Sequence, residues 1–243
     1  MSENSEIFEN NGADISAMIL KGTVGMIPIA GGYVSEIVGN VIPNQRIDRI
    51  ARYVELLNLK FENLSKDMVE KLCSSELFID LIEESFIKAS RAITTERMNY
   101  IINIVEYGMS NKDADINNSK YLLGLLSDLN DSEVIWLRYY NERTIIAKQN
   151  FQSKHVNILG RIQPVIGDSI DKKRLAAIQE SYTEHLERLG LVERHIQMDL
   201  EMGVPKYNTF TNKPEVSYIE ATLLGRMLLE YIGLIDLQPK HIR

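Results

Sequence analysis

The chain has 243 residues, 44% of them hydrophobic and 25% charged, with a formal net charge of -7. That is enough for one large domain or two modest ones with a real core, and it excludes a disordered or low-complexity chain. The single cysteine, Cys73, excludes an internal disulfide, and the acidic balance argues against a general nucleic-acid binder, whose affinity comes from clustered Lys and Arg.

The start of the chain carries no charged-apolar-cleavage pattern, so a cytoplasmic, reducing location is expected. Residues 1–14 read as a flexible N-terminus. An apolar, glycine-dotted run follows, GTVGMIPIAGGYVSEIVGNVIP. Fourteen uncharged residues separate Lys21 from Glu36, short of the about 20 that a membrane-spanning helix needs. Pro28 and Gly31-Gly32 interrupt it, which predicts a helical hairpin over 17–42 rather than one rod. It lacks the Lys and Ser/Thr of a phosphate loop and the spaced glycines of a dinucleotide fingerprint. The favoured reading is that Gly22, Gly25, Gly31, Gly32 and Gly39 let two helices approach closely inside a bundle; the alternative is a hairpin that docks on a partner or a membrane surface.

Apolar residues then fall at Ile47, Ile50, Val54, Leu57, Phe61 and Leu64, the face of a long amphipathic helix with Arg49, Arg52, Glu55 and Lys60 turned to solvent. SSELFIDLIEESFIKASRA predicts a second helix capped near Ser75, with Leu77, Leu81 or Ile82, Phe86 and Ala89 inward. A third starts near Thr94 or Thr95, buries Met98, Ile101, Ile102 and Val105, and stops at Gly108. SNKDADINNSK reads as a polar loop before a short helix carrying Tyr121, Leu122, Leu125, Leu126 and Leu129. Residues 15–129 therefore read as a helical bundle.

Residues 130–243 change character. Asn130 stands three residues ahead of Glu133 in capping-box spacing, with Val134, Leu137 and Tyr140 turned inward. GDSIDKKRLAAIQESYTEHLERLGL predicts a helix capped by Asp168 or Ser169, with a stripe of Leu175, Ile178, Tyr182, Leu186 and Leu189 facing the core. Gly190-Leu191 supplies a Schellman ending. Strand-forming residues follow from Val192, then a Gly/Pro/Asn loop, a strand in EVSYIE, and a closing helix from Thr222. This is the order of a winged-helix-like α+β unit with a small β-hairpin. The fold class is mainly α.

Taken together, MIPIAGGYVSEIVGNVIPNQRIDRIARYVELL, ERMNYIINIVEYG, YLLGLLSDLNDSEVIWLRYY, HLERLGLV and YIEATLLGRMLLEYIG resemble the abortive-infection alpha family of bacterial proteins, over about residues 15 to 235. The resemblance implies a bacterial or phage-borne protein, with a role in antiphage defence as the setting. Its motifs are apolar patterns rather than reactive groups, so it carries over no catalytic site.

A winged-helix order raises DNA binding as a function. The most basic stretch holds Arg138, Arg143, Lys148, Lys154, Arg161, Lys172, Lys173 and Arg174, a candidate contact for nucleic acid or a protein partner. Against DNA, Glu180, Glu184 and Glu187 would stand outward on the helix nearest the groove and repel phosphates. No catalytic, cofactor or metal motif is visible. His155, His185, His195 and His241 form no HExxH or other close ligand pair, Cys73 lies among apolar residues as an inert thiol, and Trp136 reads as a packing residue. The expectation is a non-enzymatic protein-interaction component without cofactor. The alternatives are a winged-helix DNA-binding regulator and a membrane-acting effector using the 17–42 hairpin.

Overall fold

The computed structural model describes residues 46–110, 112–165, 167–199, 202–209 and 212–236. The N-terminal segment and the glycine-rich hairpin, with Gly22, Gly25, Gly31, Gly32 and Gly39, lie outside the described residues, as does His241. The chain divides into two compact units, Met1–Ser127 and Asp128–Arg243. It is mainly helical, with one two-stranded antiparallel sheet among the described residues.

The first unit contains α1 (Ile47–Phe61), α2 (Lys66–Cys73), α3 (Glu76–Arg91), α4 (Thr95–Gly108) and α5 (Asp113–Asp128). Helix α1 buries Ile50, Tyr53, Val54, Leu57 and Phe61 and packs on α3 and α4. Each such side chain removed from water contributes about 1.5–3 kcal/mol. Tyr53 stacks edge-on against Phe86 and donates a 2.5 Å hydrogen bond to Ser85 Oγ, which itself donates to the Ile82 carbonyl. The polar pair is thereby satisfied inside an apolar core. Ser65, Ser75 and Thr94 cap α2, α3 and α4, each side-chain oxygen accepting from a backbone N–H three residues on.

Three sequence expectations change in this unit. Leu77 is exposed, because Phe78, Leu81 and Ser85 form the inward line of α3. Helix α4 ends at Gly108 as expected, but Gly108 is not in the left-handed conformation of a glycine cap. A Cβ there would sit 2.6 Å from Leu81 Cδ2, so the glycine serves close helix approach. Helix α5 begins at Asp113, eight residues before the expected start at Tyr121, and Tyr121 is exposed. Ile116, Ser119, Leu122, Leu123 and Leu126 make its buried line, while Asp113 and Asp115 lie in the first turn, where the helix dipole favours carboxylates.

The second unit contains α6 (Asp131–Tyr140), α7 (Ile145–Lys154), α8 (Val156–Leu159), α9 (Ile170–Arg188), β1 (Val192–Ile196), β2 (Val216–Ala221) and α10 (Leu223–Tyr231). Helix α6 is the hub, in contact with α7, α8, α9, α10 and β2. It buries Val134, Trp136, Leu137 and Tyr140 and opens with the expected capping box: the Asn130 side chain accepts from Glu133 N, and the Glu133 carboxylate accepts from Asn130 N. Helix α9 starts on Ser169 and ends in a Schellman motif. Gly190 (φ 71°) bonds back to the Glu187 carbonyl and Leu191 N to the Leu186 carbonyl. Gly233 and Leu234 close α10 with the same pattern.

The predicted inward stripe of α9 is corrected. Leu175 and Ile178 are 54% and 49% exposed, whereas Leu186 is buried as expected and the buried line continues through Thr183. Gln179, on that inner line, bonds the Ile162 N–H and the Ile158 and Gly160 carbonyls, so a polar side chain holds the 158–162 segment to the helix.

Candidate functional site

The chemistry of the second unit is positioned by α6, α9 and the hairpin. Two side-chain bonds tie α6 to α9. Tyr140 and Thr183 share a 2.9 Å hydroxyl-hydroxyl bond, and His185 Nδ1 lies 2.6 Å from Glu133 Oε1. Glu133 is buried, so its second oxygen is accounted for by the capping box and its first by the imidazole, which satisfies a carboxylate that would otherwise be costly. Burial pushes the Tyr140 phenol up; the hydroxyl of Thr183 and the charges of Arg161 and Arg194 pull it the other way.

The hairpin pairs Glu193 with Glu220 and His195 with Tyr218. Residues two apart on a strand share a face, so these four side chains form one surface. His195 stacks on Tyr218 at 4.2 Å between ring centres, and its Nε2 lies 3.0 Å from Glu220 Oε1 and 3.5 Å from Glu193 Oε1. This trio has the ligand types and spacing that could hold a divalent cation, with the two carboxylates opposite each other across the ladder and the imidazole nitrogen between them. The other face carries Arg194, whose Nε is 2.8 Å from Glu187 Oε2 but not directed at it.

Two clefts flank these elements. The first, about 400 Å³, is lined by Trp136 and Tyr140 of α6, Arg161 of the loop between α8 and α9, Lys173 and Glu180 of α9, and Arg194 of β1. The second, about 390 Å³, lies beside Arg143, Lys148, Tyr218, Glu220 and Arg226. A third hollow of about 190 Å³ in the first unit, beside Arg49, Arg52 and Ile93, gathers no comparable set.

The eight basic residues expected to act together do not form one patch. Arg138 pairs with Glu142 at 2.5 Å and lies over the Phe151 ring; Lys172 pairs with Asp168 at 2.8 Å; Arg174 pairs with Asp171 at 3.2 Å. Arg161 and Lys173 line the first cleft, while Arg143 and Lys148 line the second, with Lys148 over Tyr139. Lys154 is exposed in the last turn of α7. Sequence spacing missed Arg194, Tyr218, Glu220 and Arg226, because the hairpin register that assembles them depends on a loop whose length carries no chemical signature. His185 and His195, ten residues apart, each meet carboxylates of their own. His155 stacks on Phe151. Cys73 is half-buried, and burial pushes its thiol up, away from a reactive thiolate.

No helix among the described residues is long and apolar enough to cross a membrane. Compared with protein-family models, curated proteins and solved structures, the chain matches none.

Proposed function

We propose that the protein is a non-enzymatic interaction component that docks a partner protein through an apolar shoulder of α9, in the antiphage setting suggested by its resemblance to the abortive-infection alpha family. The observation that carries this reading is the exposure of Leu175 and Ile178, three residues apart on one helix face, with half-buried Tyr182 continuing the line. Aliphatic side chains grouped in water mark surfaces that another protein covers. The occupant is a protein with an apolar patch of its own.

Major-groove reading by the same helix is less well supported. Glu180, Glu184 and Glu187 are exposed on it, and Lys172 and Arg174 are engaged by Asp168 and Asp171. A groove-reading helix needs cations free for phosphates and polar side chains free for base edges.

The test is affinity capture from infected and uninfected bacterial cells, with and without nuclease treatment, comparing wild type with Leu175→Glu/Ile178→Glu. Wild type should retain a defined protein, and the double variant should lose it and the protective phenotype while melting unchanged. Recovery of nucleic acid in place of protein, or equal capture by the variant, would refute the reading.

A further inference from the structure

The first cleft of the second unit has a surplus of hydrogen-bond donors that its own residues do not use. Trp136 is 4% exposed, yet its indole N–H has no acceptor. Buried polar groups are ordinarily paired; the indole nitrogen itself is closed off from solvent, so the donors open to the cleft are those of its cationic side chains. The local acceptors are committed elsewhere. Thr183 and Tyr140 bond each other, Gln179 is spent on the 158–162 segment, and Glu180 lies 3.6 Å from Lys213.

The charges have the same sign. Three cations, Arg161, Lys173 and Arg194, line the cleft against one carboxylate, Glu180. Among the described residues Arg161 and Lys173 belong to no ion pair, while Arg194 lies 2.8 Å from Glu187 and shares its charge with it. A pocket that offers donors and positive charge calls for a ligand rich in acceptors and negative charge. Its remaining walls, Ile162, Pro164, Ala176, Ala177 and Ile219, are apolar, and its volume of about 400 Å³ exceeds what a bare ion fills. Pockets of this size with few convergent polar groups suit small organic molecules.

We infer that this cleft binds a small organic phosphate of about nucleotide size, its phosphoryl oxygens accepting from Arg161, Lys173 and Arg194, and its organic body against the apolar walls. A phosphate fits better than a carboxylate because it brings three oxygens and close to two negative charges to several separate donors. The inference does not depend on the docking shoulder, which uses Leu175 and Ile178.

Trp136 is the only tryptophan in the chain, so its fluorescence reports on this site directly. The full chain is titrated at constant ionic strength with adenosine 5′-monophosphate, adenosine, inorganic phosphate and benzoate, and ligand-induced shifts in melting are read in parallel. The monophosphate should give a saturable change, inorganic phosphate a weaker one, and adenosine none. Arg161→Ala and Lys173→Ala, both exposed positions, should each raise the midpoint about tenfold, the scale of one charge-assisted bond. Arg143→Ala, in the other cleft, should leave it unchanged. Three results overturn the assignment: no saturable change with any probe in either readout, midpoints indifferent to both cleft substitutions, or benzoate binding as tightly as the monophosphate.

Discussion

A Cβ on Gly225 would overlap the carbonyl oxygen of Leu191, so the first turn of α10 lies directly against the start of β1. The same carbonyl accepts from Thr222 N, and Thr222 Oγ1 donates to the Gly190 carbonyl at 2.7 Å. One short stretch of chain, the Schellman turn of α9, is thereby latched to the cap of α10. Gly225→Ala should push the two apart and cost about 1–3 kcal/mol, the usual range for overpacking. Gly124, inside α5, has nothing within 4 Å of its hypothetical Cβ. Gly124→Ala should raise stability by up to about 1 kcal/mol through helix propensity. Urea denaturation of both variants checks the contrast; equal effects would mean that close contact at Leu191 does not constrain the fold.

The Glu133–His185 contact is expected to join α6 to α9 energetically as well as spatially. Glu133→Gln keeps an acceptor for Asn130 N but removes the charged acceptor facing His185. The expected loss is about 1.5–3 kcal/mol, the range for hydrogen bonds to charged groups. A double-mutant cycle with His185→Ala reads the coupling, and strict additivity of the two single effects would contradict it.

Alkaline pH should unfold the protein through its buried phenols. Burial raises both Tyr53, hydrogen-bonded to Ser85, and Tyr140 above the ordinary tyrosine range. The unfolded chain then releases these protons first, so their contribution is fully present below about pH 10 and is lost as pH rises beyond it. Stability measured from about pH 8 to about pH 11 should fall, and in Tyr53→Phe it should fall less steeply. At neutral pH that variant should lose about 0.5–1.5 kcal/mol for the missing hydrogen bond. A pH profile identical to wild type would show that Tyr53 is not held protonated.

Double-stranded DNA is expected to bind weakly at physiological salt. Arg138, Lys172 and Arg174 are neutralised by neighbouring carboxylates, and of the remaining cations Arg161 and Lys173 line one cleft, Arg143 and Lys148 the other, and Lys154 neither. Electrophoretic mobility shifts across a salt series test this. A tight, sequence-selective complex whose affinity falls steeply with salt would establish a regulator instead.

Helix starts and stops were the legible part of this sequence. The Ser75, Thr94, Asn130, Ser169 and Thr222 caps, and the Gly190 ending, each depend on a bond spanning only a few residues. Such bonds can be read from spacing because no other part of the chain has to be in place. Where a helix's existence depended on a distant neighbour, spacing failed. The polar start of α5 is helical because Ile116 and Ser119 are buried within the folded unit, and α7, with no buried residue, shows no amphipathic pattern to read. The α9 stripe failed at Leu175 and Ile178 for the converse reason: a sequence shows which side chains share a face, but only packing decides whether another element covers it. Tertiary structure alone brought Trp136, Arg161, Lys173 and Arg194 to one cleft from across nearly sixty residues. Their shared environment is set by helix packing and strand register, which are non-local, while the amino-acid order by itself records only which neighbours each residue has along the chain.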